Sequence, residues 1–376
     1  MALTKVDTSM VESSGAFGRR NIIINGDYSI HQRSQQITGI GANASTYYTA
    51  DRWKLDMGGS NSGRVTMTAG TEDAPTESNV TTSLKLDCTT ADTSIGSGEY
   101  FILVQQIEGF NLQQFKKGTS GAKEYTVSFF VKGNGSATYV VELYDNDNGR
   151  QISKTFAVTS SWSKVELTFP ADTTGAFDND ANASLNVSIW LHAGSDYTGG
   201  TLNSSAWAAQ TAANRAAGIS SLMSSTSNEF YITAVQLEVG DTATEFEILS
   251  YPEKLSLCHR YCFAACPAGE AGSGASNVQI GIGSFYTDTQ IETVVHFPTT
   301  MRSSPTLSAN SGSSYFISET NAGGQGFNSW TGVYGAGKSQ KLIYSSGTVS
   351  DFNNQGMATR LAVQNSAAYV IFEAEL

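Results

Sequence analysis

Cysteine and histidine side chains, the usual ligands of structural zinc, are concentrated in one short stretch. Residues 257–266 (LCHRYCFAAC) hold three of the four cysteines together with His259. Cys258, Cys262 and Cys266 recur at every fourth residue, so a helix would align them along one face. The outer two thiols would then be ~12 Å apart, too far for one metal ion or a disulfide. Because free cysteine packs as a small hydrophobe, we interpret the stretch as buried scaffold, with metal binding or redox chemistry as the alternative.

Two further motifs match phosphate-binding or ion-binding patterns. Residues 332–339 (GVYGAGKS) fit the phosphate loop G-x-x-x-x-G-K-S, which requires a strand before it and a helix after it. The strand-like QKLIYSSG follows instead, so we expect no nucleotide site. Residues 145–149 (DNDNG) resemble a calcium loop, but glycine takes the fifth ligand position and Arg150 replaces the required glycine. A hairpin turn is the simpler prediction, with a structural calcium ion as the alternative.

A catalytic residue set is not recognisable. The four histidines are scattered along the chain, and no serine nucleophile motif accompanies them; they are His31, His192, His259 and His296. Paired carboxylates for glycosidic cleavage cannot be identified from spacing alone. We therefore expect a protein that is not an enzyme, with no catalytic residue, no cofactor and no metal.

The net charge of the chain restricts the partners that it can bind. The 376-residue chain has 15% charged residues, 37 glycines and a formal net charge of −12. An acidic surface repels phosphate backbones and anionic lipid, so we expect no nucleic-acid partner. No run approaches the ~18 apolar residues of a spanning helix, so we expect no membrane insertion. The first residues lack the apolar core of a signal peptide, and we expect synthesis in a reducing cytoplasm.

Short strands of alternating polarity must carry whatever chemistry the chain has. Period-2 patterns predict strands at residues 124–132, 138–144, 151–159, 162–169, 185–192 and 229–239. Such strands, with one apolar and one polar face, are typical of an antiparallel sandwich. The Ala/Ser-rich residues 202–223 interrupt the pattern and predict a long surface excursion between two strands.

Four segments follow from these patterns. We predict an arm at residues 1–20, a jelly-roll β-sandwich at 21–250, a helix with a Gly/Ser linker at 251–276, and a small β-sandwich tip domain at 277–376. The helix is expected to span residues 251–266, because Pro252 stands at its start and Pro267 follows it. The predicted fold class is therefore all-β with one connecting helix.

Four sequence blocks resemble, in order, those of a bacteriophage tail-fibre-like family common in marine phages. They are residues 21–32 (NIIINGDYSIHQ), 48–53 (YTADRW), 230–240 (FYITAVQLEVG) and 244–261 (TEFEILSYPEKLSLCHRY). The sandwich pattern, chiefly WSKVELTF, also resembles jelly-roll carbohydrate-binding modules. The resemblance implies a virion structural protein, usually a homotrimer, that takes part in adsorption to the host. The alternatives are a capsid-attached decoration or head-fibre protein and, less favoured, a polysaccharide-degrading tailspike-like enzyme.

Aromatic residues on polar strand faces suggest where a host glycan could bind. Rings flanked by hydrogen-bonding groups suit sugars, whose C–H faces stack on the rings while their hydroxyls meet polar side chains. On the sandwich, the candidate residues are Phe130, Tyr144 and Trp190, which we expect to share one face. The favoured interpretation is that this face is buried against another subunit or against the Ala/Ser-rich excursion, and glycan contact is the alternative.

The tip loops offer a second candidate contact. Long glycine-rich loops at the end of a rigid scaffold commonly carry binding residues. We expect the aromatic residues of these loops to be exposed; they are Tyr315, Phe327, Trp330 and Tyr334. Alanine at Trp330 and Tyr334 is then expected to reduce adsorption to the host.

The arm is predicted to dock to another virion protein, because it is polar, aperiodic and too poor in apolar residues to fold alone. Deleting residues 1–20 is expected to leave a folded trimer that no longer enters particles. Size-exclusion chromatography and the protein content of purified particles check both parts. Normal incorporation of the truncated chain would contradict the prediction.

Overall fold

The computed structural model describes residues 19–267, 278–312, 315–321, 323–335, 337–346 and 355–376. Most of the predicted docking arm lies outside these ranges, and so does most of the Gly/Ser linker. The described chain is almost entirely antiparallel β-structure, which confirms the predicted fold class.

The first unit contains strands β1 to β13 and a one-turn helix. The strands are β1 (Gln36–Gly41), β2 (Ser45–Tyr47), β3 (Lys54–Gly58), β4 (Arg64–Thr71), β5 (Ser83–Thr90), β6 (Tyr100–Glu108), β7 (Tyr125–Gly133), β8 (Ala137–Asp145), β9 (Arg150–Val158), β10 (Ser163–Phe169), β11 (Ala183–Ala193), β12 (Ala208–Ala209) and β13 (Glu229–Val239). Helix α1 (Ser195–Thr198) follows β11. The predicted strand at 229–239 coincides with β13, and the other five agree to within two residues at each end.

Helix α2 and the remaining strands form the second part of the chain. They are α2 (Tyr251–His259), β14 (Cys262–Cys266), β15 (Gln279–Phe285), β16 (Gln290–His296), β17 (Thr306–Ala309), β18 (Phe316–Thr320), β19 (Gly323–Phe327), β20 (Gly332–Tyr334), β21 (Gln340–Ser346), β22 (Ala358–Val363) and β23 (Val370–Glu373). Segment 332–339 begins with strand β20 and is followed by its antiparallel partner β21, not by the helix that a phosphate loop requires.

The sandwich consists of two facing sheets. Sheet A has the strand order β1-β4-β5-β13-β7-β10, and sheet B has the order β12-β9-β8-β11-β6-β3-β2. Alternation along β7 sends Val127, Phe129 and Val131 into the core between the sheets, while Ile189 of β11 enters it from the other side. The intervening residues of each strand therefore face outward, and candidate binding residues must lie on these outer faces.

The second unit pairs a three-stranded sheet C with a seven-stranded sheet D. Sheet C has the order β14-β23-β17, and sheet D has the order β19-β18-β22-β15-β16-β21-β20. Phe285, Phe316 and Phe372 are among the buried residues of its core. This unit has its own apolar core, and strand β14 links it directly to helix α2.

The connecting helix is shorter than predicted. Helix α2 begins with a capping box between Ser250 and Glu253 and ends at His259, not at Cys266. Residues 262–266 form strand β14, which pairs with β23. The aromatic and β-compatible residues of this stretch find backbone partners in the last strand, so tertiary pairing overrides the helical pattern.

The three clustered cysteines are therefore not a stripe on one helix. Cys258 lies in α2, whereas Cys262 and Cys266 stand at the two ends of β14. All three are fully buried, as their interpretation as buried scaffold requires. Burial raises the pKa of the Cys258 and Cys262 thiols well above the usual value, because the thiolate loses its hydration.

A buried ionic junction joins the last strand to the sandwich. Glu375 pairs with both Arg33, at 3.0 Å, and Arg52. Arg33 also pairs with Glu373 at 2.7 Å and lies 3.7 Å from Asp51. The side chains of Arg33, Arg52 and Glu375 are 7%, 1% and 8% exposed, respectively. Burying these charges is tolerable only because each has a partner.

Replacement of Glu375 by Gln is expected to lower the free energy of unfolding by roughly 3 kcal/mol, because two buried guanidinium groups lose a common counter-charge. Urea denaturation with a free-energy extrapolation measures the change. Glu373→Gln serves as the matched control, since its side chain is 32% exposed and its ion pair is worth about 1 kcal/mol or less. Equal losses for the two variants would contradict the role assigned to Glu375.

Candidate functional site

The sandwich aromatics do not share one face. Tyr144 and Trp190 belong to sheet B, in β8 and β11, whereas Phe130 belongs to β7 of sheet A. All three side chains are absent from the core between the sheets, so they lie on two opposite outer faces. The expectation of a single surface with these three rings is wrong, because alternate strands of a sandwich enter different sheets.

Trp190 is not exposed. Its side chain is 0% exposed and packs with Ile102, Val104, Val140 and Ala216 in a small second core on the outer face of sheet B. Residues 194–224, which we call the insertion, cover it. Burial against the excursion, the favoured interpretation, is therefore confirmed for this ring, and Trp190 as an exposed glycan contact is wrong.

Two of the four tip aromatics are buried as well. Phe327 and Trp330 are 1% and 9% exposed and pack on Phe316 inside the second unit. Their expected exposure is wrong, because this small unit needs its large rings to build a core. Tyr315 is half-buried. Tyr334 is 53% exposed and stacks on Tyr344 with ring centroids 4.6 Å apart.

A cleft of about 250 Å³ opens on the outer face of sheet B beside the buried Trp190. Its floor consists of Ile102 and Val104 of β6 with Ser188 of β11. Its walls carry aromatic and hydrogen-bonding side chains, all half-buried: Asp56, Tyr100, Tyr144, Asn186, Tyr197 and Arg215. We call this site the tyrosine cleft.

Strand register fixes the wall residues. Across sheet B, Asp56 lies opposite Ile102, which lies opposite Trp190. Asn186 lies opposite Tyr144. Directly paired residues on one face are near neighbours. Asp56 therefore forms an acidic end of the cleft, Asn186 and Tyr144 form the other end, and the apolar floor lies between them.

The insertion supplies the rest of the cleft. Tyr197 of α1 contacts Tyr100 edge-on at 5.5 Å and Trp190 at 5.3 Å between ring centroids. The guanidinium of Arg215 lies over the rings of Trp190, at 4.8 Å, and Tyr144, at 5.3 Å. The rings are therefore held by one another and by a cation before any ligand arrives.

Charge in the cleft is unevenly compensated. Arg215 makes two 2.7 Å hydrogen bonds to Glu142, which is fully buried and also accepts a bond from the indole of Trp190 at 2.9 Å. The Glu142 carboxylate thus neutralises the guanidinium and raises its pKa. Asp56 has only the Tyr100 hydroxyl, at 3.5 Å, as a side-chain partner among the described residues.

Tyr100 and Asn186 provide further hydrogen-bonding atoms. Burial raises the pKa of the Tyr100 hydroxyl, and the Asp56 carboxylate adds to this effect. The hydroxyl therefore stays protonated and can donate. The amide oxygen of Asn186 accepts from Asn146 at 2.9 Å, while its amide nitrogen has no acceptor within the described part of the chain.

Sequence reasoning missed most of these residues. Strand β6 was not predicted, because its run of apolar residues is buried on both faces and shows no alternation. Tyr197 and Arg215 lie in the irregular insertion, where no periodic signal exists. Tyr144 alone was identified, since it stands on the polar side of a clearly alternating strand.

A histidine contact pins the insertion to the sheet. His192 of β11 is fully buried, and its Nδ1 lies 2.8 Å from the Ser221 hydroxyl oxygen. Its Nε2 lies 3.5 Å from the Glu99 carboxylate. Serine, histidine and carboxylate together invite comparison with a hydrolytic triad. The Ser221 hydroxyl, however, also accepts from the backbone N–H of Met223 at 3.1 Å, which caps a turn and suits a structural tether.

A lysine fills the position proposed for calcium. The buried Nζ of Lys117 lies 2.6 Å from Asp145 and 3.1 Å from Asp172, and it donates to two backbone carbonyl oxygens at 2.8 Å. The ammonium thus occupies the oxygen-lined space that a cation at residues 145–149 would need. The predicted hairpin turn is confirmed, since β8 and β9 pair on either side of it.

No group of three or more His, Cys, Asp or Glu side chains is placed to hold a metal ion in the described ranges. Among the same residues, no helix is long and apolar enough to cross a membrane.

Solved structures with a similar fold match 57–59% of the chain. A CBM4 carbohydrate-binding module is 13% identical, with 57% of this chain and 97% of that chain covered and a TM-score of 0.29. The enzymatically active domain of tailspike protein 4 of bacteriophage CBA120 is 12% identical, with 58% and 21% covered and a TM-score of 0.28. The CBM22-1–GH10 modules of Clostridium thermocellum xylanase 10B, complexed with xylohexaose, are 14% identical, with 59% and 29% covered and a TM-score of 0.31.

These likenesses concern the fold and say nothing about function at such identities and TM-scores. No family model matches the chain, and no curated protein matches its sequence. The resemblance to tail-fibre-like proteins therefore stays a prediction.

Acidification is expected to loosen the insertion through His192. Burial lowers the pKa of this imidazole, although Glu99 and Asp92 oppose the effect. The folded state therefore favours the neutral ring. The stability that this preference provides is present above the unfolded pKa of about 6.5. It decreases below that pH, because the unfolded state binds the proton more readily than the folded state. His192→Asn should flatten the loss of unfolding free energy between pH 7 and pH 5.

Urea denaturation at the two pH values measures this difference. The exposed His296 of sheet D is the control site, and His296→Asn should retain the wild-type dependence on pH. Identical pH dependence in wild type and His192→Asn would contradict the assignment.

Proposed function

We propose that the tyrosine cleft binds a saccharide and that the protein is a non-enzymatic glycan binder. The observation that carries this proposal is an open cleft in which tyrosine rings flank an apolar floor and hydrogen-bonding atoms remain available. Tyr100, Tyr144 and Tyr197 offer ring faces or edges to the C–H groups of a pyranose. Asp56 and Asn186 can then bond its hydroxyls.

The size of the cleft supports a short recognition element. Its volume of about 250 Å³ lies below the ~300–1,000 Å³ of pockets for drug-sized ligands. One sugar ring, as part of a longer chain that continues along the open surface, suits such a site better than a compact cofactor.

Charge supports neutral sugars over acidic ones. The cation of the cleft, Arg215, is already matched by Glu142, while the Asp56 carboxylate faces the opening with one hydroxyl partner. A uronic or sialic acid would bring a second carboxylate to this acidic end and be repelled. The formal net charge of −12 acts in the same direction at longer range.

The biological setting that we propose is a phage virion. The tail-fibre-like sequence blocks support an appendage that helps attach the particle to its host, with docking through residues 1–20 and three copies per appendage. Weak saccharide contacts suit that arrangement, because linked copies raise the effective concentration of every further contact. A capsid-attached decoration protein would use the same cleft, and a polysaccharide-degrading tailspike remains the weaker candidate.

Removal of the Tyr144 or the Tyr197 ring is expected to weaken glycan binding. Tyr144→Ala and Tyr197→Ala should each raise the Kd for neutral oligosaccharides by roughly 3- to 10-fold, because aromatic contacts contribute ~0.5–1.5 kcal/mol. A glycan array identifies ligands, and titration calorimetry measures affinity. Asp56→Asn should in addition improve binding of acidic sugars relative to neutral ones.

Tyr334→Ala is the matched control, since this exposed tyrosine lies in the second unit. Unchanged affinity in that variant together with losses at Tyr144 and Tyr197 supports the cleft. Loss of affinity only with Tyr334→Ala would instead locate the contact at the tip, and an array without any ligand would contradict glycan binding.

A further inference from the structure

A second cavity lies on the opposite side of the sandwich, on the outer face of sheet A. Its volume is about 450 Å³, and its floor includes Phe130, which is 9% exposed. The half-buried rings of Trp162 and Phe246 line it, together with the exposed carboxylates of Glu77 and Glu245. We call this cavity the acidic trench.

The central ring of the trench is rigidly held. The indole N–H of Trp162 donates to Asp73 at 3.1 Å, and the ammonium of Lys132 lies 5.3 Å from the ring centroid. Tyr231 packs edge-on against the same ring at 6.2 Å. Lys132 in turn pairs with Asp73. An aromatic side chain fixed on a strand end by neighbours loses little further freedom when a ligand stacks on it.

The trench carries uncompensated negative charge. Within the described ranges, no cation pairs with the carboxylates of Glu77 and Glu245. The one ammonium that lines the trench, Lys164, already pairs with Glu166. A ligand that fits must therefore present a face that stacks on aromatic rings and a positive group that meets carboxylates.

We propose that the acidic trench binds an amino sugar with a free ammonium group, such as a glucosamine unit of a polysaccharide. The pyranose C–H face stacks on Trp162 and the ammonium group lies toward Glu77 and Glu245. Because the outer faces of sheets A and B point in opposite directions, this site and the tyrosine cleft cannot bind adjacent residues of one extended chain. The sandwich then holds two different glycan chains, or two distant parts of one chain.

Glucosamine tetramer and its fully N-acetylated counterpart provide matched probes, since acetylation removes the positive charge and keeps the sugar backbone. In titration calorimetry, the full chain should bind the free-amine tetramer at least 5-fold more tightly than the acetylated one. Added salt should weaken the free-amine complex, because the contact is partly exposed and screened.

Trench variants locate this preference. Trp162→Ala should weaken binding of the free-amine tetramer by about 10-fold, and E77Q/E245Q should remove most of the difference between the two probes. Phe110→Ala and Glu72→Gln are matched controls, because both side chains are exposed and lie outside the trench. Circular dichroism spectra confirm that each variant is folded.

The outcomes separate this proposal from the tyrosine cleft. Retained preference in Tyr144→Ala, with loss in E77Q/E245Q, supports an independent trench site. Equal affinity for the two tetramers, or a preference that survives E77Q/E245Q, overturns the amino-sugar assignment. If Tyr144→Ala abolishes binding of both tetramers while Trp162→Ala changes neither, the cleft stands and the trench proposal fails.

Discussion

Arg33 and Arg52 hold the last strand of the chain against the sandwich, and the arrangement of the two units depends on this contact. Both guanidinium groups are buried, and Glu375 is their common partner. The ring of Tyr261 lies 3.6 Å from the Arg52 guanidinium and covers it. Because ion pairs in a low-dielectric site are costly to misalign, the junction specifies one docking geometry where apolar packing alone would accept several.

That geometry also explains why residues 262–266 form a strand. Arg260, just after α2, pairs with Glu108 at the end of β6, and the chain then runs beside β23. The strand β23 is fixed by the junction immediately after it. A helical continuation through Cys266 would remove one of the two strands that pair with β23, the other being β17, so long-range pairing decides a local conformation.

The sequence predicted those parts of the fold that depend on local alternation, and it failed where burial comes from distant segments. Strands such as β13 and β7 have one face in the core and one outside, so their period is visible. The insertion buries Trp190 and the outer face of strand β6, and no pattern in the sequence indicates this burial. Phe130, Tyr144 and Trp190 were likewise predicted to share one face, because local alternation does not show that strand order assigns them to two sheets.

The placement of the tyrosine cleft has a consequence for specificity. Its floor and acidic end belong to sheet B, whereas Tyr197 and Arg215 come from the insertion, which His192 and Glu142 tie to the sheet. Tyr197 lies outside the core between the sheets, so a substitution there changes the cleft wall without removing a core side chain, whereas Trp207, Leu222 and Met223 of the insertion belong to that core. Loops on a rigid scaffold can vary at little cost in stability. For the proposed glycan binder, substitutions in the insertion away from these core residues would alter the ligand while the sandwich and the ionic junction stay constant.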